Sequence, residues 1–325
     1  MKIKSPNSVK SILENCGEMK PPSLIIDDLK WRYLVRSVIR GKNILIVGPT
    51  GCGKTLAAQS VAVGLKKEDR FFYFNLGSTQ DARSALIGNT HFEKETGTIF
   101  NESTFVKAIR TEGAIILLDE ISRAHPDAWN ILMTVLDDLQ RYLRLDEKKD
   151  SEVVKVAKNV TFIATANVGN EYTATRVMDR ALLNRFSVKI EMPPLDKKNE
   201  YDLLKNRFGI TNVDMLALLN NIVEIAEHTR INIRQEDAKL SNFLSTRNVS
   251  EAAELLTDGF NLLEIAENVI YPNFDDDGGT NSERTYMKQL VQKYIPISGT
   301  PDSPFFANKT KGNTTVIIDP AAPPF

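Results

Sequence analysis

Gly48-Pro49-Thr50-Gly51-Cys52-Gly53-Lys54-Thr55 lies between the apolar run Asn43-Ile44-Leu45-Ile46-Val47 and the stretch Leu56-Ala57-Ala58-Gln59-Ser60-Val61-Ala62-Val63-Gly64-Leu65. The first flank reads as a short buried strand and the second, apolar with small residues, as a helix. Strand, glycine loop and helix form the setting in which the spacing G-x-x-x-x-G-K-[ST] makes a phosphate site. Glycines let the backbone wrap tightly and turn its N–H groups toward phosphate oxygens. The helix N-terminus adds a partial positive charge on the same anion. Lys54 is placed to reach the β- and γ-phosphates, and the Thr55 hydroxyl to ligate Mg²⁺. A nucleoside triphosphate is therefore expected over Gly48, Pro49, Thr50, Gly51, Cys52, Gly53, Lys54 and Thr55.

Short apolar runs recur at 70–75, 114–118, 160–166 and 187–190, separated by helical stretches such as 82–87 and 129–139. Strands alternating with helices predict a parallel sheet covered on both faces. Ligands then gather at the carboxyl ends of the strands, where the glycine loop already lies. A helix at 26–40 precedes the first strand, and Leu24-Ile25-Ile26 ahead of it can either touch a nucleotide base or pack as core. Pro193-Pro194 closes the series. Beyond it, 199–208, 213–229, 237–244 and 249–263 read as helices, and 286–294 as a last short one. The expected organisation is a flexible lead-in over 1–22, an α/β nucleotide-binding core over 23–194 and a small all-helical domain over 195–271. A partly irregular extension follows over 272–325.

A length of 325 residues suits two domains and a tail. With 42% hydrophobic and 26% charged residues, the composition is that of a globular protein. The 41 basic and 42 acidic residues nearly cancel, which argues against a polyanion-binding surface and so against nucleic acid. Of the two cysteines, Cys16 and Cys52, the second lies inside the glycine loop. A disulfide would tie that loop down, so a reduced, cytoplasmic chain is expected. No apolar run approaches the ~18 residues of a membrane helix, and no signal-peptide core opens the chain. His91, His125 and His228 are scattered without zinc-site spacing.

Ala114-Ile115-Ile116-Leu117-Leu118-Asp119-Glu120 is an apolar strand running into two carboxylates. Asp119 is placed to hold Mg²⁺ opposite Thr55, and Glu120 to polarise the attacking water. Ile163-Ala164-Thr165-Ala166-Asn167 puts an amide at the end of a further strand, where Asn167 can orient that water or contact the γ-phosphate. Arg180 and Arg185 share a helical stretch, and Arg247 follows Ser245-Thr246 at the head of another. Read alone, each arginine is as well explained by solvent exposure.

Taken together and in order, these motifs resemble the AAA+ ATPases, and within them the MoxR-like group that includes the CbbQ and NorQ type. The likeness covers roughly residues 24–270. It rests on GPTGCGKT, on IILLDEISRAHPDAWNILMTVLDD from Ile115, on FIATAN from Phe162, on ALLNRF from Ala181 and on LSTRNV from Leu244. The resemblance implies that Asn167 is the sensor 1 residue and Arg247 the sensor 2 arginine of a lid domain. It implies that Arg185 is an arginine finger acting on the adjacent subunit, with Arg180 a possible assistant, and hence a ring that is usually a hexamer. It further implies a protein client, with a partner carrying a von Willebrand factor A domain as the leading expectation. Residues 88–100 and 144–158 look like the family's helix 2 insert and its hairpin before sensor 1. Cys52 stands where threonine or serine is more usual, a departure at a position that mainly contributes backbone N–H. Two other functions fit the motifs less well: a nucleic-acid-associated motor, and an ATP-bound scaffold with little turnover.

Overall fold

The computed structural model describes residues 6–93, 97–148, 151–167 and 178–295. The chain divides into two units between Asn199 and Glu200. The first opens with α1 (Pro6–Glu14), α2 (Asp28–Ile39), β1 (Ile44–Val47), α3 (Lys54–Gly64), β2 (Phe71–Asn75) and α4 (Ala82–Leu86). The strands β3 (Gly88–Glu93) and β4 (Gly97–Glu102) follow, then α5 (Thr104–Arg110), β5 (Ile115–Asp119) and α6 (Pro126–Val135). It continues with β6 (Tyr142–Leu145), β7 (Glu152–Lys155), β8 (Thr161–Ala166), α7 (Arg180–Asn184) and β9 (Val188–Glu191).

Five of these strands form one parallel sheet in the order β2-β5-β8-β1-β9. Alternation of side chains along each strand splits the core in two. Ile44, Ile46, Ile115, Leu117, Ile163, Val188 and Ile190 face a layer built by α2 and α3. Leu45, Ile116, Leu118, Phe162 and Ala164 face α5 and α6, where Phe105, Ile109, Leu132 and Val135 are fully buried. The expected α/β class, a parallel sheet with helices on both faces, is the observed one.

Two features before the sheet and within it differ from expectation. Residues 6–22 are not an irregular lead-in. Pro6 occupies the first helical position of α1, where its missing N–H costs nothing. Cys16 is fully buried, and its carbonyl accepts the Trp31 indole N–H at 2.7 Å, fastening the segment to α2. The helix expected at 129–139 is α6, and it both starts and stops earlier. His125 caps its start, and beyond its end the Asp137 side chain accepts from the N–H groups of Leu139 and Gln140, which replaces helical bonds by a turn.

The two insertions are antiparallel hairpins, β3 with β4 and β6 with β7. They are joined by ion pairs. Arg110 of α5 pairs with Glu102 and Glu152, Lys148 pairs with the same two acids, and Arg83 pairs with Glu147.

The second unit is helical. It contains most of α8 (Lys197–Phe208), then α9 (Val213–Asn232), α10 (Thr246–Thr257), α11 (Leu262–Ile265) and α12 (Glu283–Gln292). No helix forms over 237–244. Instead α9 runs on to Asn232, whose side-chain oxygen accepts from the N–H groups of Lys239 and Leu240, so side chains take the place of helical carbonyls. Residues expected in an extension after 271 belong to this unit's core: Phe274, Met287 and Val291 are buried with Leu219, Ile225 and Ala252. The apolar run Val316-Ile317-Ile318 lies outside the described residues.

Candidate active site

The sheet order decides which loops meet. β8 separates β1 from β5, and both Leu45 and Leu118 pair with Ala164 in β8. The glycine loop after Val47, the acids after Leu118 and the amide after Ala166 therefore leave the sheet side by side at the carboxyl ends of its strands. This is where neighbouring parallel strands diverge and ligands are received.

Each turn of the loop has a visible cause. Gly51 and Gly53 take φ of 82° and 88°, the left-handed region that glycine occupies without strain. A Cβ on Gly48 would lie 2.1 Å from the Met192 carbonyl oxygen, so no larger residue fits there. α3 then begins at Lys54, directing its unpaired first N–H groups into the loop. Lys54 is buried, with 8% of its surface exposed, and its Nζ donates to the carbonyls of Gly48 at 2.9 Å and Pro49 at 2.7 Å. Burial pushes the Lys54 ammonium below its ordinary value, with Cys52, Asp119 and Glu120 opposing that shift. A buried cation held by carbonyls and facing helix N–H groups is suited to a polyanion. Burial likewise pushes the Cys52 thiol up, which leaves it a poor nucleophile.

At the end of β5, Asp119 receives three hydroxyls. Thr55 Oγ1 lies 3.3 Å from each carboxylate oxygen, the Tyr73 hydroxyl donates to Oδ2 at 3.1 Å, and Thr165 donates to Oδ1. Burial, and then the Asp119 charge, raise the Tyr73 hydroxyl above its usual value and keep it a donor. The facing Thr55 and Asp119 are an all-oxygen pair, the chemistry that suits a hard cation completed by phosphate and water. Among the described residues no cluster of three His, Cys, Asp or Glu could hold a metal by itself.

Glu120 adopts φ 56° and ψ 39°, and its N–H donates to Thr165 Oγ1 at 3.0 Å. Its carboxylate is half-buried, 3.3 Å from Arg123 Nη1. Gly77, in the turn after β2, makes room for it: a Cβ there would lie 2.3 Å from Glu120 Oε2 and 2.9 Å from its Cβ. That turn is held by Asn75, whose side-chain oxygen accepts from the N–H groups of Gly77 and Ser78. Gly77→Ala is accordingly expected to displace the carboxylate. Turnover should fall about tenfold or more with little change in nucleotide affinity, measured as kcat beside a nucleotide titration.

Residues 43–186 match the AAA domain of the dynein-related subfamily. BssE of Thauera aromatica, a chaperone by name, is 32% identical over 224 residues that cover 68% of this chain and 72% of that protein. This chain is an AAA+ ATPase of the MoxR-like type. An uncharacterized protein of Staphylococcus haemolyticus is similar in like degree, 31% identical over 219 residues, 66% of this chain and 78% of that one. The crystal structure of NtrX from Brucella abortus in complex with ADP aligns over 88% of this chain and 72% of its own at 17% identity, with a TM-score of 0.44. Nucleotide binding and ATP hydrolysis are properties of the AAA+ chain.

The AAA+ chain brings together only part of the set expected from sequence. Lys54, Thr55, Asp119 and Glu120 converge with the loop, and Asn167 follows β8 directly, its side chain making no hydrogen bond among the described residues. Arg185 is engaged within its own chain: Nε donates to the Met133 carbonyl at 2.7 Å, Nη1 to that of Ala181 at 2.8 Å, and Nη2 lies 3.9 Å from Asp137. Asn43, buried ahead of β1, also donates to the Arg185 carbonyl at 2.9 Å. Arg180, at the start of α7, is exposed and pairs with nothing among the described residues. Arg247 lies in the second unit, exposed in the first turn of α10. Sequence reading missed Thr165, Tyr73 and Gly77. The signal for Thr165 was present, a hydroxyl near the carboxyl end of a wholly buried strand whose only other polar residue is Thr161 at its start.

On the other side of the loop, a Cβ on Gly53 would lie 3.7 Å from both Leu24 and Met192. Met192 also lines a small cleft of about 150 Å³ with Ile25, Ile26, Asp27, Lys30 and Pro193.

Proposed function

We propose that this ATPase is Mg²⁺-dependent and couples hydrolysis to a conformational change that remodels or activates a partner protein. The observation that carries the reading is the convergence of Lys54, Thr55, Asp119 and Glu120 at the carboxyl end of the sheet. Lys54 and the loop N–H groups bind the β- and γ-phosphates. Thr55 and Asp119 hold Mg²⁺, which when bound neutralises phosphate charge. Glu120 takes a proton from the attacking water as its oxygen bonds to the γ-phosphorus and the bond to the β-phosphate oxygen breaks. Asn167 orients that water. The cleft beside Ile25, Ile26 and Met192 receives the base.

The α/β unit serves as the nucleotide-binding core and the helical unit as a lid carrying Arg247 as sensor. Subunits form a ring, a hexamer on family grounds, in which Arg185 acts on the neighbour's γ-phosphate. A guanidinium has five N–H groups, so those left after the Met133 and Ala181 bonds are available to a second acceptor. The client is a protein, with a von Willebrand factor A domain the first partner to test, and the working place is the cytoplasm. No helix among the described residues is long and apolar enough to cross a membrane.

Mixing inactive Lys54→Ala subunits with inactive Arg185→Ala subunits tests the shared site. Partial recovery of phosphate release is expected, because some interfaces then pair an intact loop with an intact arginine; no recovery at any ratio removes Arg185 from that role. Chelation by EDTA should abolish turnover and added Mg²⁺ restore it. Stimulation of turnover by DNA would favour the nucleic-acid motor instead.

A further inference from the structure

We propose that Thr229 and Arg230 of α9, backed by Glu200, are positioning residues for Arg247. This rests on the reading that Arg247 senses the γ-phosphate. Leu244 ends the irregular segment before α10, and both of its backbone polar groups are bonded by consecutive side chains of α9. Its N–H donates to Thr229 Oγ1 at 3.0 Å, and its carbonyl accepts from Arg230 Nε at 3.0 Å. Thr229 and Arg230 are buried, so neither bond competes with bulk water. The terminal nitrogens of Arg230 grip Glu200 through two parallel bonds of 2.8 Å, and Glu200 is fully buried. Such a fork has one geometry, which fixes Nε as well.

From that anchor the chain has almost no freedom before Arg247. Ser245 caps α10 through a capping box in which Asn248 Oδ1 accepts from the Ser245 N–H at 3.0 Å. Asn248 is itself tied to Asn273 at 3.2 Å. Thr246 begins the helix and Arg247 is its second residue, exposed and without a partner among the described residues. Helix ends ordinarily fray. Here the first turn is clamped on the side preceding it, while the one cation it carries is left free to engage a ligand. Glu200 adds a link in chain order, for it lies in the first turn of α8, soon after Pro193-Pro194. The segment that enters the helical unit and the helix bearing Arg247 are thus joined through a single arginine.

The test compares the affinities of the full chain for a non-hydrolysable ATP analogue and for ADP, both with Mg²⁺. Arg247→Ala is expected to lower the preference for the analogue. Thr229→Val, which keeps the shape and removes the acceptor, and Arg230→Lys, which keeps the charge and removes the fork, should each lower it about fivefold. Thr229→Ser should retain it. In the Arg247→Ala background neither change should lower the preference further, although each should still lower the melting temperature. A purely structural role predicts the second effect without the first. An unchanged preference in Thr229→Val and Arg230→Lys, with a loss in Arg247→Ala, overturns the proposal and leaves the sensor reading standing. An unchanged preference in Arg247→Ala overturns both. Additive losses in the double variants place the two residues on another path and also overturn it. Should Arg230→Lys fail to fold, the isosteric Thr229→Val decides.

Discussion

Glu120→Gln is expected to bind ATP with nearly the parental affinity and to hydrolyse it about a thousandfold more slowly. The amide keeps the volume of the side chain, the backbone bond to Thr165 and the clearance beside Gly77, so the site is not reshaped. What it removes is the ability to accept a proton from water. The measurement is phosphate release beside a nucleotide titration on the same preparation. Parental turnover in this protein would take the role of base away from Glu120. Lys54→Ala should behave in the opposite way and lose binding first, because it deletes the buried cation that the loop carbonyls hold. A protein trapped with ATP by Glu120→Gln is also the bait with which to test for the proposed partner.

Glu200→Ala should destabilise the helical unit by about 3–5 kcal/mol, because Arg230 is left charged and buried without its counter-ion. Both partners are nearly inaccessible, at 0% and 4% side-chain exposure, so water cannot take over the lost bonds. For a unit of this size the shift in melting temperature is roughly 10–20 °C. A second change, Arg230→Met, made together with Glu200→Ala, should recover much of the loss by removing the orphaned charge. Differential scanning calorimetry reads both effects. A shift of only a degree or two in the single variant would mean that solvent reaches the pair.

The sheet was legible because its three central strands, β5, β8 and β1, are buried on both faces. Ile44–Val47 reads as a continuous apolar run and Thr161–Ala166 as one interrupted only by threonines, both too short for an ordinary helix. The phosphate loop and both acids were legible because their spacing is local. Regions governed by side-chain bonds across longer gaps were not. Residues 237–244 carry a plausible helical pattern, yet Asn232, Thr229 and Arg230 claim the backbone of that segment from α9. The chain after 271 looked like a tail because Asp275-Asp276-Asp277-Gly278-Gly279 breaks the pattern. The buried Met287 and Val291 lie just past the break. At the site, Tyr73 reaches Asp119 across adjacent strands, a contact that needs the order β2-β5 and cannot be read along the chain. For Arg185 the sequence motif gave a role but no hint that Met133 and Ala181 already hold the side chain.

Glu102, Arg110, Lys148 and Glu152 form a closed circuit of alternating sign, with each acid touching both bases. Two hairpins far apart in sequence are thereby linked by a network of charges, a yoke between β4, α5 and the β6–β7 hairpin. The ion pairs of the yoke are half-exposed and so weakened by salt, while the apolar residues beneath them, Phe100, Leu145 and Val154, are not. Ionic strength thus becomes a dial on how stiffly the two hairpins are joined, set apart from the chemistry at the phosphate loop.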